Sequence, residues 1–318
     1  KERPPSEGPL CPLPAGCWPP RNPILTHRHL GLDYPITGTG HADLVETQNG
    51  EWWLVCLAMR PYGGYYYNLG RETFLAPVRW EDGWPVVSPG MGKVEFSYKV
   101  PDLPEHAWNQ PPARDDFDET LPRLEWYSLR GPMGDFASLS ERPGFLRLGL
   151  RPESLNEPTN PSFLGRRQQH IHFRAETALE FSPKTGHEYA GLALVQNNDF
   201  HLLLVVTRTS EPVIRLIKRA QGQETTVAEQ SVHDGRIYLK VEAHEQAYAF
   251  YLAEKPGEWR AVAEDVDGRI LSTPVAGGFV GTTIGMYASS NGQQSENFAD
   301  FDWFEYTGLN ERQETFIA

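Results

Sequence analysis

A single histidine, His41, stands between two small residues in the stretch GTGHADLVETQNGEWWLVCL, which covers residues 38–57. Residues 43–47 and 51–57 are predicted to be short strands, because Gln48-Asn49-Gly50 between them is a hairpin turn signal. His41 is therefore predicted at the entrance of a hairpin, where the backbone can orient the imidazole towards a site instead of burying it in a core. The alternative is a histidine that caps the loop by hydrogen bonding.

Arg71, in the stretch LGRETF, is the second residue whose type suits chemistry. A guanidinium is a rigid fork of hydrogen-bond donors that stays charged, so it can hold hydroxyl groups or orient a carboxylate. The alternative is an ion pair with Glu72 or Asp43. Asp43 follows His41 by two residues, which predicts that both lie on the same side of the strand and makes Asp43 a candidate partner for orienting the imidazole.

The three cysteines, Cys11, Cys17 and Cys56, form neither a disulfide framework nor a zinc spacing. A bridge between Cys11 and Cys17 and two free thiols remain alternatives. Surface or strand positions are predicted for three histidines that show no metal-like spacing, which are His170, His172 and His201.

Length and charge limit the classes of protein and partner. The chain has 318 residues, enough for two domains, and a net charge of −13 without a long basic run, so no nucleic-acid partner is predicted. No apolar run approaches the ~20 residues of a membrane-spanning helix, so no membrane partner is predicted either. The 9 Trp, 13 Tyr and 15 Phe suit stacking on sugar rings, although all-β cores of any function also use aromatic residues.

Proline content and alternation divide the chain into four parts. Residues 1–21 contain seven prolines without periodicity and are predicted to be irregular. Residues 22–98 carry short strands separated by Gly, Asp and Asn, which is typical of a propeller blade or a sandwich. Residues 99–122 are rich in proline and acid and are predicted to be a linker. Residues 123–310 are predicted to be a second β domain.

The second domain is predicted to be a two-sheet β-sandwich. It contains ten or more apolar segments at roughly 10-residue spacing, beginning with RLEWYSLR at residues 123–130, and no helix of convincing length. Alternation is clear around residue 239, where Ile237, Leu239 and Val241 share one face and Tyr238, Lys240 and Glu242 share the other. The fold class is therefore predicted to be all-β.

Several long motifs, taken in order, resemble glycoside hydrolase family 43, which includes β-xylosidases and α-L-arabinofuranosidases. NPILTHR, GHADLVETQNGEWWLVCL and LGRETFLAPVRWEDGWPVV resemble the end of the family's catalytic domain. RPGFLRL, FLGRRQQH, AGLALVQN and FADFDWFEY resemble the sandwich appended to many members. The resemblance implies the terminal portion of a five-bladed β-propeller, followed by a concanavalin-like β-sandwich.

The resemblance implies an inverting hydrolase, which needs an acid and a base on opposite sides of the sugar with room for a water between them. In the family these carboxylates lie in earlier blades, and residues 22–98 are expected to hold only about the last blade. Glu7-Gly8-Pro9 is similar to the segment around the family's general acid, but Leu10 replaces its histidine. Whether this chain alone is an enzyme therefore remains open.

The resemblance implies functional roles for three residues. The family's histidine at the position of His41 lies near the propeller axis, where it helps to organise a bound calcium ion or the surrounding water. The family's arginine at the position of Arg71 reaches the sugar subsite. Related enzymes close the substrate pocket with a phenylalanine of the sandwich, which is similar to Phe279; a core phenylalanine is the alternative.

The sequence thus predicts part of a hydrolase that acts on xylo-oligosaccharide or arabinoxylan, with Ca²⁺ as a structural ion. The alternative is a non-catalytic β-sandwich that binds carbohydrate or stabilises a partner chain. A partner chain that carries the missing blades is also compatible, since closing the propeller would cover exposed strand edges. An extracellular location is favoured, although the chain shows no signal-peptide pattern.

Overall fold

The computed structural model describes residues 22–309, so Glu7, Cys11 and Cys17 lie outside the described residues. The described chain is all-β apart from short helical turns, as the sequence predicts. It divides into two compact units. The first contains residues 22–61 and 71–108, and the second contains residues 62–70 and 109–309.

Eighteen strands are formed within residues 22–309. In chain order they are β1 (Thr37–Glu46), β2 (Trp52–Met59), β3 (Glu72–Glu81), β4 (Trp84–Val87), β5 (Arg114–Asp115), β6 (Ala137–Ser138), β7 (Leu146–Gly149), β8 (Ser162–Arg167), β9 (His172–Phe181), β10 (Tyr189–Asn197), β11 (Phe200–Arg208), β12 (Pro212–Ala220), β13 (Gln223–Ser231), β14 (Gly235–His244), β15 (Ala247–Ala253), β16 (Arg260–Asp267), β17 (Thr283–Ser289) and β18 (Phe298–Gly308). The helical turns are Arg28–Leu30, Gly268–Leu271 and Thr273–Ala276, and no helix of the described chain is long and apolar enough to cross a membrane.

The first unit is built on a four-stranded antiparallel meander in the order β1-β2-β3-β4. The predicted hairpin joins β1 to β2, and Gly50 has a φ of 85° in its turn. Between β3 and β4, Asp82 and Gly83 have φ values of 51° and 78°, which fit a tight hairpin turn of type I′. Four-stranded sheets of this kind form the blades of β-propellers.

A buried histidine, His27, fastens the segment before β1. Its Nδ1 lies 2.8 Å from the carbonyl oxygen of Ile36, and its Nε2 accepts a hydrogen bond from the backbone N–H of Val94 at 2.9 Å. The second contact requires an unprotonated Nε2, so His27 is neutral and carries its proton on Nδ1. Burial lowers the pKa of His27, in agreement with this structural role.

The second unit is a two-sheet sandwich. One sheet has the order β13-β12-β11-β10-β17-β8, and the other has the order β16-β15-β14-β9-β18-β7-β6, with β5 paired to β18. The core contains the predicted apolar face of β14, because Ile237, Leu239 and Val241 are all buried there. Phe250 and Phe301 also lie in this core.

One strand prediction for this unit was wrong, and two strands were not predicted. Residues 123–130 form no strand; Tyr127 makes only an isolated bridge to Gly165. β13 was missed because it is an edge strand with mostly exposed residues, so it lacks the apolar alternation on which the prediction depends. β8 was missed because Ser162 to Arg166 are buried on both faces and do not alternate.

Candidate functional site

His41 lies on β1 in a distorted part of the strand. The register shifts between Thr37 and Gly40 and again between Gly40 and Asp43, so β1 bulges against β2 on either side of Gly40. His41 itself has a φ of 46°, a conformation that is uncommon for a residue other than glycine. Such bulges are frequent beside functional sites, where they redirect a side chain. The His41 side chain is exposed and forms no hydrogen bond or ion pair with another described residue.

The two bulges change the expectation for Asp43. Sharing one side of a strand requires regular alternation, and the register shift between Gly40 and Asp43 interrupts that alternation. The two-residue spacing therefore does not place Asp43 beside His41. The sequence contained no signal for a bulge other than Gly38 and Gly40, and of these only Gly38 has a positive φ, at 63°.

His41 and Arg71 are connected through one row of paired residues. Gly40 pairs with Leu57, and Leu57 pairs with Thr73. β1 and β3 run in the same direction, so the start of β3, which Arg71 precedes, lies at the same end of the sheet as the first half of β1. One strand separates them, which corresponds to about 10 Å between the two backbones. The exposed Arg71 and His41 thus lie near one end of a rigid meander.

Glu72 has a different partner from the one considered in the sequence. Its carboxylate accepts hydrogen bonds from Nε of Arg60 at 2.9 and 3.1 Å and from Nη2 of Arg60 at 2.8 Å. This bidentate ion pair occupies the carboxylate and suits a structural role rather than an acid that must donate a proton. A groove of about 380 Å³ lies beside the pair and is lined in part by Phe74, Phe96 and Tyr98.

Phe279 belongs to the second unit, in a turn after the helical turn Thr273–Ala276. It follows Gly277 and Gly278, which have φ values of 76° and 79°, and its side chain is 70% exposed. The alternative of a core phenylalanine is therefore wrong. The exposure arises because two left-handed glycines turn the chain outward before Phe279 is reached.

The residues present do not by themselves form a calcium site. Calcium takes six to eight oxygen ligands, mostly from carboxylates and carbonyl groups. Within residues 22–309, no group of three or more His, Cys, Asp and Glu side chains is arranged to hold a metal ion. His41 would supply one imidazole, which is not a preferred ligand for calcium.

The outer face of the larger sandwich sheet carries a network of charged side chains. Asp300, whose side chain is 4% exposed, accepts hydrogen bonds from Arg142 at 2.9 Å and from Arg147 at 2.7 and 2.8 Å. Glu180 accepts from Arg142 at 2.7 Å and from Arg236 at 2.7 and 2.9 Å. Although burial opposes it, these hydrogen bonds lower the pKa of both carboxyl groups, which therefore stay ionised.

A groove of about 390 Å³ opens beside this network, and Phe298 lies at its border. The Phe298 side chain is 42% exposed, and the guanidinium of Arg147 lies 3.7 Å from the centre of its ring. A second groove, of about 220 Å³, adjoins the same phenylalanine. The arrangement combines an accessible ring with charged donors and acceptors, which are the groups that hold sugar rings and hydroxyl groups.

His201 illustrates what the sequence did not reveal. It lies on β11 as predicted, but it is completely buried, and its Nε2 has no hydrogen-bond partner among the described residues. Its Nδ1 lies 3.3 Å from the carbonyl oxygen of Asn197. Burial lowers the pKa of His201 to about 4, so the imidazole is neutral at physiological pH.

Comparison with known proteins follows the division of the chain. Residues 114–307 match the beta xylosidase C-terminal concanavalin A-like domain, and residues 12–85 match glycosyl hydrolases family 43. A xylosidase/arabinosidase of Butyrivibrio fibrisolvens is 44% identical over 293 residues, which are 91% of this chain and 56% of that protein. The non-reducing end α-L-arabinofuranosidase of Bacteroides ovatus is 40% identical, over 92% of this chain and 55% of that protein.

Solved structures agree with the sequence comparison. A family 43 protein from a xyloglucan utilisation locus of Bacteroides ovatus superimposes with a TM-score of 0.87 and 39% identity, covering 92% of this chain and 57% of that one. A xylan beta-1,4-xylosidase of Bacillus halodurans has a TM-score of 0.85 and 34% identity, covering 91% of this chain and 57% of that one. The chain thus spans a little over half the length of these relatives.

The protein is all-β: a four-stranded sheet like a propeller blade precedes a concanavalin A-like sandwich. The chain belongs to glycosyl hydrolase family 43. The predicted family and fold class are thereby confirmed.

Proposed function

We propose that this chain is part of an inverting glycoside hydrolase that removes a terminal xylose or arabinose from xylo-oligosaccharide or arabinoxylan. The proposal is supported by relatives named as xylosidases and arabinosidases, which share about 40% of its residues. The structural observation that carries it is the placement of His41 and Arg71 at one end of the same meander.

Each candidate residue has a defined task in this proposal. Arg71 donates hydrogen bonds to hydroxyl groups of the bound sugar, and its permanent charge keeps it a donor at every working pH. Phe279 is an exposed ring of the sandwich unit, and we assign it to stacking on the apolar face of a sugar. His41 orients water at the base of the site; a Ca²⁺ ion there would need oxygen ligands, which no cluster of described side chains supplies.

The chemical step needs two carboxyl groups that this proposal places in other blades of the propeller. One donates a proton to the leaving oxygen while the other removes a proton from the attacking water, which inverts the configuration at the sugar carbon. Glu72 is a poor candidate for either task, because Arg60 binds its carboxylate in a bidentate ion pair. Glu7, which the resemblance makes a candidate for the acid, lies outside the described residues.

Hydrolysis of p-nitrophenyl β-D-xyloside and α-L-arabinofuranoside by the purified chain tests the proposal first. We expect no turnover above background from the folded chain, because its acid and base are supplied by other blades. Clear turnover would contradict this division of labour, and the activity of Glu7→Gln would then show whether Glu7 is the acid.

The subsite role of Arg71 is tested in the longer enzyme of which the chain is proposed to be a part. Changing Arg71→Ala should lower kcat/KM about 100-fold, because a charged donor to the sugar is lost, while the melting temperature stays within 2 °C or so of the parent. Arg79→Ala is the matched control, since Arg79 lies on β3, the strand that Arg71 precedes, and among the described residues it pairs with Glu81 at the surface. Unchanged kinetics of the Arg71 variant would remove Arg71 from the substrate site.

The role of His41 in calcium binding is tested by thermal unfolding of the same enzyme. We expect 1 mM Ca²⁺ to raise the melting temperature relative to EDTA, and His41→Ala to reduce that increase, because a bound ion stabilises the folded state by mass action. His29→Ala is the control, since His29 is also exposed. A calcium effect that survives His41→Ala in full would show that His41 does not organise the ion.

The first unit also presents a surface that suits further blades. Leu44, Val45, Leu75 and Phe96 are all at least 36% exposed, and β1 is an edge strand. Exposed apolar side chains next to an open edge invite pairing with another sheet. We assign this surface to the remainder of the propeller, carried either by a longer chain or by a partner chain.

The second candidate function is non-catalytic binding of carbohydrate by the sandwich, and the groove beside Phe298 favours it. Migration of the chain through a native gel that contains xylan should be retarded, and Phe298→Ala should abolish the retardation because the stacking surface is lost. Val227→Ala is the control, since Val227 is 41% exposed on the distant edge strand β13. Equal retardation of both variants would exclude this groove as the binding site.

A further inference from the structure

Nine residues between β2 and β3 belong structurally to the sandwich unit. The segment Tyr62–Gly70, with the sequence YGGYYYNLG, groups with residues 109–309 rather than with the meander that it interrupts. Tyr62 and Leu69 are 7% and 6% exposed, and Asn68 is completely buried. A loop between two strands of a sheet is normally exposed, so its burial requires a specific receiving surface.

Asn68 makes the most specific contacts of this segment. Its Nδ2 donates to the hydroxyl of Tyr248 at 3.1 Å and to the carbonyl oxygen of Gly268 at 2.9 Å. Its Oδ1 accepts from Nε2 of Gln246 at 3.1 Å. Its own carbonyl oxygen accepts from the backbone N–H of Thr282 at 2.7 Å. The sandwich therefore forms hydrogen bonds with the nitrogen and the oxygen of the Asn68 side-chain amide and with the Asn68 backbone.

The receiving side chains are buried and connected to one another. Tyr248, which is 0% exposed, donates to Oε1 of Gln168 at 3.2 Å, and Nε2 of Gln168 donates to the hydroxyl of Tyr62 at 3.3 Å. Tyr62 and Asn68 of the segment thus complete a network of hydrogen bonds with Gln168 and Tyr248. Without the segment, Gln168 and Tyr248 would lose these partners. Buried polar groups without partners are costly, so the sandwich favours a ligand with an amide at this position.

The backbone on either side of the contact has room for glycine only. A Cβ atom on Gly70 would lie 2.3 Å from the backbone nitrogen of Gly281, and a Cβ atom on Gly281 would lie 2.3 Å from the carbonyl oxygen of Leu69. Gly70 also has a φ of 69°, which favours glycine independently. The surface therefore selects for glycine at residue 70 as well as for asparagine at residue 68.

We propose that the sandwich contains a peptide-recognition slot, formed around Gln168, Gln246, Tyr248, Gly268 and Gly281, whose ligand is the chain's own segment Tyr62–Gly70. The slot recognises the tripeptide Asn-Leu-Gly through the Asn68 amide and the close backbone contact at Gly70. It binds the same sequence when that sequence is supplied as a separate peptide. This proposal does not depend on the hydrolase activity proposed above.

The intact chain provides the first test. Asn68→Ala should lower the melting temperature of the sandwich by about 5 to 10 °C, because several buried groups lose their partner. Hydrogen exchange at the amide of Thr282 should accelerate at least tenfold, while the amide of Met286, within β17, keeps its protection. Asn109→Ala is the control, because Asn109 is exposed. Unchanged exchange at Thr282 in Asn68→Ala would overturn the proposal.

Binding of a separate peptide is the second test. In the full chain, Tyr62–Gly70 is replaced by nine Gly and Ser residues, and the peptide YGGYYYNLG is then added. We expect the native peptide at millimolar concentration to raise the melting temperature by several degrees, and the same peptide with alanine in place of asparagine to have no effect. No increase with the native peptide would show that the segment only packs against the sandwich and is not recognised by it. If the replaced chain does not fold, exchange at Thr282 in Asn68→Ala decides the question alone.

Discussion

Changing Asp300→Ala should destabilise the sandwich by about 2 to 3 kcal/mol, because it leaves two guanidinium groups without their most buried partner. Asp300 holds Arg142 and Arg147 through three hydrogen bonds, and its side chain is only 4% exposed. Removing one member of a buried ion pair costs more than the pair contributes when intact, because the remaining charges keep the cost of their burial. Urea unfolding monitored by tryptophan fluorescence measures the loss.

Asp302→Ala provides the matched comparison for this prediction. Asp302 lies on the same strand and accepts one hydrogen bond from Arg236 at 2.8 Å, but its side chain is 27% exposed. Ion pairs near the surface contribute little, so the expected loss is below about 1 kcal/mol. Equal losses for the two aspartates would show that burial does not determine the energetics of this network.

The second prediction with a large effect is that buried His201 makes the stability of the protein depend on pH. Because burial lowers the pKa of His201 to about 4 from the usual 6.5, the unfolded chain binds a proton at His201 before the folded chain does. The stability associated with neutral His201 is therefore complete above about pH 7, falls as the pH is lowered through 6.5, and stops falling below about pH 4. The total change is on the order of 3 kcal/mol.

His201→Leu isolates this contribution. Leucine cannot titrate and is similar in size, so the free energy of unfolding of the variant should depend less steeply on pH between 7 and 4 than that of the parent. His187→Leu, at an exposed position, is the control for replacing a histidine by leucine. His27 adds to the slope in both proteins, because burial lowers its pKa as well, and it cancels in the comparison. Parallel pH profiles for His201→Leu and the parent would contradict a buried neutral His201.

The segment Tyr62–Gly70 contributes to the stability of the sandwich, although it precedes the sandwich in the chain. A sandwich that begins at residue 109 or 123 would lack Asn68, and with it the partner of Tyr248 and Gln246. We therefore expect such a fragment to be less stable than the same sandwich within the full chain. This modifies the idea of an independent carbohydrate-binding domain, since the sandwich draws part of its buried hydrogen bonding from a loop between β2 and β3.

Local sequence patterns determined much of the fold. The turn at Gln48-Asn49-Gly50 falls where the sequence predicts it, because glycine readily adopts the positive φ that Gly50 has in this hairpin. The apolar face of β14 was equally predictable, since Ile237, Leu239 and Val241 are buried, whereas Tyr238 and Glu242 on the other face are partly exposed. The family was identified from motifs that lie mainly on such regular elements.

Only the tertiary structure decided the features that depend on residues far apart in the chain. Four features require partners that no local pattern specifies. They are the bulges around His41, the ion pair of Arg60 and Glu72, the burial of His201 and the hydrogen bonds of Asn68. Asn68 and Tyr248 are separated by 180 residues and meet because the sandwich closes around the segment Tyr62–Gly70. Alternation predicts which face of a strand is buried, but the pairing of polar side chains is set by the packing of distant elements, and that is where the candidate sites of this protein arise.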